Sequence, residues 1–216
     1  CRGAHRDAIA GDGLNVSSHW GDYTVNPQAT PDPREVGPVD LVLYAVKLYS
    51  NPEALPLIEP LLRDDTVVLP LQNGTESAAK IADAYGWDRV IAGTTFIEAA
   101  KTGAGTIEQS GSTARISFGE QDGSRSDRVS RVEQMLTREG VQADASSDIR
   151  GTIWAKFVQV AAIGTVMAAS RATYVQLLES PEGENSIRTV MEEVANVGCS
   201  EGVTFRQGMI STILDG

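Results

Sequence analysis

The stretch Asp40–Lys47, DLVLYAVK, decides the fold class of this chain. Its residues 41–46 form a continuous apolar run that is rich in strand-forming types. Such a run lacks the alternation of a half-exposed strand and predicts a strand buried on both faces, as in a parallel sheet. Lys47 therefore stands at the carboxyl end of a buried strand.

The segments that follow repeat an alternation of helix and strand. In order, the sequence predicts a helix at 51–62 with Pro52 in its first turn, a strand at 66–71, a helix at 75–85 capped by Thr75, and a strand at 89–97. This order is typical of a doubly wound α/β sheet. On the amino-terminal side we expect a short helix at 3–10, short strands or loop at 14–26, and a proline-rich loop at 27–38.

The pattern changes after residue 100. The segments 106–109 and 114–118 alternate in polarity around 110–112, which predicts an antiparallel hairpin at the sheet edge with its turn at those three residues. A helix at 125–139 and a short strand at 141–145 are expected to complete the part of the chain that contains the sheet.

From Ser147 onward the pattern is helical. It predicts helices at 149–170, 173–179 and 184–198, the first of them capped by Asp148 or Ser147. We therefore predict an α/β fold in two parts. A Rossmann-like parallel-sheet domain would occupy residues 1–146, and an all-helical domain would occupy residues 147–216.

Composition narrows the class of partner. The chain has 216 residues, 41% of them hydrophobic, and a formal net charge of -11. Such an acidic chain repels nucleic acid and anionic membranes, so an anionic small molecule would need locally placed cations. No apolar run approaches the roughly 20 residues of a membrane-spanning helix, so we expect no membrane partner. Cys1 and Cys199 form no redox or metal pattern, and only two histidines occur, so we expect a cytoplasmic protein without a metal site.

Polar residues follow two neighbouring predicted strands where each strand ends. Lys47 follows the first strand, and the run 72–74, Gln-Asn-Gly, follows the second. Ligands of open α/β sheets bind at these strand ends, where a lysine can meet an anion and Asn73 can bond a ribose hydroxyl or a carboxamide. The alternatives are a solvated lysine and an ordinary strand-to-helix turn, which uses Asn-Gly freely.

Lys156 lies within the long predicted helix among apolar neighbours, namely Ile153, Val160 and Ile163. Such a lysine either extends its ammonium group to solvent along an apolar surface or is buried. Burial would lower its pKa and suit it to act as a general acid near neutral pH. Arg2, just before the first helix, could meet the 2′-phosphate of NADP, or it could be an ordinary surface cation.

Several of these stretches occur together in one known family. They are Cys1–His5 (CRGAH), Asp40–Lys47 (DLVLYAVK), Leu71–Gly74 (LQNG), Ala92–Thr95 (AGTT), Ile153–Phe157 (IWAKF) and Ser180–Gly183 (SPEG). In order and spacing, over nearly the whole chain, they resemble the ketopantoate reductases (2-dehydropantoate 2-reductases).

The resemblance implies a fold, an activity and roles for individual residues. The family combines a Rossmann domain with a helical domain like that of 6-phosphogluconate dehydrogenases, and it reduces small 2-oxo acids with NADPH. By that resemblance Arg2 would contact the 2′-phosphate, and Lys47 and Asn73 would line the nicotinamide and substrate cleft. Ala99 would touch the cofactor through its backbone, and Lys156 would protonate the carbonyl oxygen. Reductases of this architecture are often homodimers, which we also expect here.

Three departures from the family pattern keep other hypotheses open. The family's Gly-x-Gly-x-x-Gly turn would precede Arg2, and a serine and a glutamate that contact ligands would follow the last residues, so we expect the sequence to be a piece of the enzyme. Many members carry an asparagine four residues after the lysine, where this chain has Val160, with Gly164 one turn further. The alternatives are a reductase of a different 2-oxo acid and a non-catalytic binding or dimerisation module.

Overall fold

The structure is a computed structural model that describes residues 2–138 and 140–215. Its helices are α1 (Gly3–Asp12), α2 (Asn51–Ala54), α3 (Ser77–Tyr85), α4 (Asp127–Leu136), α5 (Ile149–Ser170), α6 (Tyr174–Leu178), α7 (Pro181–Ser200) and α8 (Met209–Asp215). Its strands are β1 (Leu14–Ser17), β2 (Tyr23–Val25), β3 (Leu41–Tyr44), β4 (Val67–Pro70), β5 (Ala92–Gly103), β6 (Thr106–Gly119) and β7 (Gln142–Ala145). The predictions for Cys1, for the end of the helix at residue 139 and for the end of the chain at residue 216 lie outside the described residues.

The predicted α/β fold class is confirmed, with a sheet that is mixed rather than wholly parallel. β3 and β4 run parallel, with Leu41 opposite Val67. On its other edge β4 pairs with the segment just before β5, through a parallel bridge between Val68 and Val90. All four residues of β4 are buried, because helices and neighbouring strands cover both of its faces. The apolar run of β4 reflects this double burial. The prediction that β3 is also buried on both faces is wrong, since Leu43 is 46% exposed and only the opposite face of that strand carries buried residues.

The predicted hairpin around residues 110–112 is wrong. β5 continues to Gly103, the chain turns at residues 104–105, and β6 runs without interruption through 110–112 while pairing antiparallel with β5. Gly105 has φ +68°, a left-handed conformation that suits glycine in a tight turn. Residues 111–113 instead form a bulge, since Glu98 faces Ser110 whereas its neighbour Ile97 faces Ala114.

Two predicted helices need correction, one in its type after the first turn and one in its start. The segment predicted as a helix at 51–62 is α2 followed by a 3-10 helix at Leu55–Leu61, because Pro56 and Pro60 cannot donate backbone hydrogen bonds. Thr75 does not cap α3, which begins at Ser77 without a side-chain cap.

The long helix α5 has the predicted bounds, Ile149–Ser170. Asp148 caps it by accepting a hydrogen bond from the Gly151 amide at 2.9 Å. The predicted boundary between residues 146 and 147 falls in the connection from β7 to this helix.

The described residues after 147 form helices only, and α8 is one that the sequence did not predict. α5 packs against α7, with Val158 and Ala162 of α5 and Ile187 and Met191 of α7 buried between them. α5 has 22 residues and a mean hydropathy of 1.4, so by length and composition it could cross a membrane. The expectation that no segment approaches the length of a membrane-spanning helix is therefore wrong for α5, although core helices of soluble proteins meet the same criterion.

Candidate active site

Lys156 of α5 and Asn73 of the segment after β4 meet where the helical part contacts the sheet. The Lys156 ammonium donates hydrogen bonds to the Asn73 side-chain Oδ1 at 3.0 Å and to the Thr95 main-chain carbonyl oxygen at 2.5 Å. Thr95 lies in β5, so the contact joins a helix, a strand and a strand end that are distant in sequence. The structure thus brings together two of the residues singled out in the sequence.

The surroundings of Lys156 disfavour its charged form. The side chain is partly buried, and this burial lowers the pKa of the Lys156 ammonium below its ordinary value. Within residues 2–138 and 140–215, no carboxylate forms an ion pair with it. The nearest ring is that of Phe96, whose centroid lies 5.4 Å from Nζ. An ammonium held only by neutral oxygens and a ring can release a proton more readily than one held by a carboxylate.

The strand ends that position Asn73 are tied together by a buried polar network. The Gln72 side-chain amide donates to the Val46 carbonyl at 2.6 Å and to Asn51 Oδ1 at 2.8 Å, and the Tyr44 hydroxyl donates to the same Asn51 oxygen at 3.2 Å. These bonds fix the carboxyl ends of β3 and β4 relative to each other. Gln72 Oε1 and Asn51 Nδ2 remain buried without a hydrogen-bond partner in the described part of the chain.

Two cavities are lined by both Lys156 and Asn73. The larger, which we call the Lys156 cleft, has a volume of about 690 Å³ and is lined by Asn73, residues 95–98 of β5, residues 110–113 of β6, and one face of α5. The smaller, about 240 Å³, lies between Leu48, Gly74 and Thr94 on the sheet side and Ile153, Phe157, Val160 and Ala161 on α5. Val160 lines both and is 43% exposed, so the wall beside Lys156 is apolar at that position.

The other predicted site residues lie outside these two cavities. Lys47 is exposed at the start of the 3-10 helix Leu48–Ser50. Arg2 is exposed and forms an ion pair with Glu53 at 3.6 Å, which places it near α2. Ala99 is exposed in the β5–β6 hairpin, opposite Gln109. Their assignment to a cofactor site therefore stays a prediction.

The sequence did not single out Thr95 or Phe96. Thr95 contributes a main-chain carbonyl, which every residue possesses, so its side chain gave no signal. Phe96 pairs across the strands with Arg115, whose guanidinium carbon lies 4.4 Å from the ring centroid. Correct pairing of β5 with β6 would have revealed this contact. Among the described residues, no group of three or more His, Cys, Asp or Glu could hold a metal ion.

Two family models match the chain. The model described as Ketopantoate reductase PanE/ApbA matches residues 1–123, and the model described as Ketopantoate reductase PanE/ApbA C terminal matches residues 148–215. Together the two matched ranges extend over most of the sequence.

Individual relatives have similar names. The chain is 29% identical over 228 residues to 2-dehydropantoate 2-reductase of Mesorhizobium japonicum, an alignment that covers 96% of this chain and 70% of that protein. It is 28% identical over 193 residues to the uncharacterized oxidoreductase YkpB of Bacillus subtilis, covering 88% of this chain and 63% of that protein. The crystal structure of 2-dehydropantoate 2-reductase from Porphyromonas gingivalis W83 superposes with a TM-score of 0.89 at 29% identity, covering 100% of this chain and 75% of that one. The chain therefore corresponds to less than the full length of each relative.

Proposed function

Because this chain belongs to the ketopantoate reductase family, we propose that it takes part in the NADPH-dependent reduction of a small 2-oxo acid, ketopantoate or a related compound. The observation that carries the proposal is the position of Lys156, whose ammonium lies between the sheet and α5, held by Asn73 and the Thr95 carbonyl. We infer that Lys156 is the proton donor of this reaction.

Reduction of a ketone adds a hydride to the carbonyl carbon and a proton to its oxygen. An ammonium carries three N–H groups, and the contacts to Asn73 and Thr95 occupy two of them. The third can be donated to the carbonyl oxygen of the substrate. Because burial lowers the pKa of Lys156, the proton is released more easily as negative charge develops on that oxygen. The ammonium also stabilises the developing charge until the proton moves.

The strand ends next to Lys156 fit a nicotinamide cofactor, which supplies the hydride when bound. Gly74 has φ +105°, and a Cβ there would contact only Leu48, so a ligand can approach the backbone closely. The unpaired Gln72 Oε1 and Asn51 Nδ2 leave hydrogen-bonding capacity at the same strand ends. We propose that Asn73 and Lys47 bind the nicotinamide half, that the Ala99 backbone touches the cofactor, and that Arg2 binds the 2′-phosphate of NADPH.

The apolar wall of the cleft favours a second substrate candidate within the same reaction. Val160 places a branched hydrocarbon beside Lys156 and offers no hydrogen bond to a substrate hydroxyl. A 2-oxo acid with an apolar side chain would therefore fit this wall better than one with a hydroxyl group. We further propose that the protein is cytoplasmic and acts in pantothenate biosynthesis. We also propose that it forms a homodimer, for which the exposed Val175 and Val197 of the helical part offer apolar surface.

A fluorescence titration with NADPH, with NADH as the control, tests the proposal directly. We expect saturable binding that prefers NADPH, followed by oxidation of NADPH when a 2-oxo acid is added. A panel of ketopantoate and 2-oxo acids with apolar side chains then separates the two substrate candidates by kcat/KM. Binding of neither cofactor would overturn the proposal and favour a non-catalytic binding or dimerisation module.

A further inference from the structure

A third cavity, of about 510 Å³, opens on a different face of α5 from the small apolar cavity. We call it the Arg115 cavity. Its walls are Phe96 and Arg115 from the β5–β6 hairpin, residues 146–148, Thr152, Ala155 and Gln159 of α5, and residues 204–206, 209, 212 and 213. Lys156 lines this cavity as well as the Lys156 cleft, and so do Phe96 and Gln159. The two spaces are therefore neighbours on either side of the proton donor.

Arg115 is held in this cavity with unused hydrogen-bonding capacity. Its guanidinium carbon lies over the Phe96 ring, 4.4 Å from the centroid, in a cation–π contact that holds the group beside the ring. Its Nε is buried and has no hydrogen-bond partner in the described part of the chain. Asp144 forms a loose ion pair with that nitrogen, but its carboxylate oxygen is 3.9 Å away, which is beyond hydrogen-bond distance. A buried donor without an acceptor is costly, so its retention calls for a ligand that supplies one.

The charges around the cavity favour an anion. Arg115, Lys156 and Arg206 all line it, and Arg206 forms no ion pair within residues 2–138 and 140–215. The one acidic side chain in the lining is Asp148, whose carboxylate already accepts the Gly151 amide as the cap of α5. In a chain with a net charge of -11, three cations around one cavity form a local positive site.

The Lys156 cleft offers the opposite environment. There the lining contains one cation, Lys156 itself, together with the carboxylate of Glu98. In a 2-oxo acid the carboxylate is bonded directly to the carbonyl carbon, so the group that binds it must lie close to the proton donor. Glu98 would repel the carboxylate on the cleft side, whereas Arg115 would attract it on the other side.

We propose that the Arg115 cavity binds the carboxylate of the 2-oxo acid, with Arg115 as the principal cation and Gln159 as a neutral donor. The side-chain amide of Gln159 makes no hydrogen bond to the described residues, and Gln159 lines both spaces, so this amide can reach a ligand that extends between them. The planar fork of Arg115 can meet both carboxylate oxygens, which orients the adjacent carbonyl group toward Lys156. This inference rests on the proposed reduction of a 2-oxo acid.

Oxamate, a 2-oxo acid analogue that is not reduced, is a suitable probe because its binding needs no turnover. We expect the side-chain Nε–Hε signal of Arg115, assigned by its absence from R115M, to shift saturably in NMR spectra as oxamate is added to the full chain. Calorimetry should show the Kd of R115M raised about ten- to a hundredfold, the usual cost of a lost hydrogen bond to a charged group. R131M is the matched control, since Arg131 is exposed and lies 3.8 Å from Asp65; its Kd should stay unchanged.

R115K provides a second variant if R115M folds poorly, because it keeps the charge but loses the planar fork; its Kd should lie between those of the wild type and R115M. Oxamate affinity that is the same in R115M as in wild type, an unshifted Arg115 signal, or no oxamate binding to the wild type would each overturn the inference. Wild-type NADPH oxidation that persists alongside any of these results would leave the proposed function standing. Oxamate binding at Arg115 without NADPH oxidation would contradict the function instead.

Discussion

Arg128 and Lys156 are both partly buried cations, and the regions around them treat the positive charge in opposite ways. Arg128, at the start of α4, donates to both oxygens of Glu120, at 2.7 and 2.6 Å, and to the carbonyls of Trp87 and Asp88. These bonds raise the pKa of Arg128 and lower that of Glu120, chiefly through their shared hydrogen bonds. Lys156 has no carboxylate partner among the described residues, and burial lowers its pKa.

The difference shows how one kind of group can serve two purposes. Around Arg128 every favourable contact comes from the folded chain, so the charge stabilises the junction between α4 and the segment before β5. Around Lys156 the chain leaves one N–H group unused and disfavours the charged form. A buried cation whose N–H groups all donate to the folded chain stabilises the structure, and a cation with an unused N–H group is available for chemistry.

Removing the Lys156 ammonium tests the second half of this comparison and should give the largest effect. We expect K156A to lower kcat about 10²- to 10⁴-fold, the range typical of a lost general acid, with no loss in the free energy of unfolding. Steady-state NADPH oxidation and urea denaturation measure the two quantities. K80A is the matched control, because Lys80 is 51% exposed on α3 and pairs with Glu76. An unchanged kcat in K156A would remove the role assigned to this lysine.

Removing the Arg128 guanidinium should reverse that pattern. R128M leaves the Glu120 carboxylate, whose side chain is only 12% exposed, with Ser126 as its remaining side-chain donor. We expect the free energy of unfolding to fall by about 3 kcal/mol, because breaking a buried pair strands one charge. Cofactor affinity should stay near the wild-type value. R131M serves as the control for a surface pair and should cost less than about 1 kcal/mol. Equal urea midpoints for R128M and R131M would contradict the structural role of Arg128.

The smallest expected effect is a difference in pH dependence between the two regions. Because the folded-state pKa of Lys156 is lowered, the unfolded chain holds more protons at alkaline pH, so this group makes folding more favourable as pH rises toward the ordinary lysine pKa. The free energy of unfolding of wild type should therefore rise relative to K156M over that window, while kcat falls as the proton donor is lost.

Glu120 has a lowered pKa, so its contribution is present above the ordinary glutamate pKa and is lost as pH falls through the folded value. Urea titrations at a series of pH values should thus show the smallest difference in the free energy of unfolding between E120Q and wild type at acidic pH. If the free energy of unfolding of wild type instead falls relative to that of K156M as pH rises toward the ordinary lysine pKa, then burial does not lower the pKa of Lys156.

Elements with strong local signals were predictable from the sequence. The strands β3 and β4 follow from unbroken apolar runs, although only β4 is buried on both faces. α5 follows from a long apolar pattern preceded by Asp148, a residue that caps helices. The hairpin turn was misplaced because polarity alternates equally well on both sides of residues 110–112, so the pattern could not say which segment pairs with which. β5 supplies the pairing partner, and partner choice is a tertiary effect.

The site was predictable only where a residue type carries the chemistry. Lys156 and Asn73 stood out as a lysine among apolar residues and an amide at a strand end, and the structure joins them. Arg115 and Phe96 contact each other across strands whose register the sequence did not reveal. The apolar neighbours of Lys156 left burial and solvent exposure open, and the packing of α5 on the sheet decides for the burial that lowers its pKa.

The contact between Lys156 and the main-chain oxygen of Thr95 has a consequence for how this protein can diverge. Any residue at position 95 that keeps β5 paired with β6 presents the same oxygen, so exchange of that side chain leaves the anchor of the lysine in place. Position 160, in contrast, lines the cavity wall at a point where exchange of its side chain changes the wall itself. Under the proposed function, single exchanges at position 160 would change substrate preference, whereas exchanges at position 95 would leave the anchor of Lys156 unaltered.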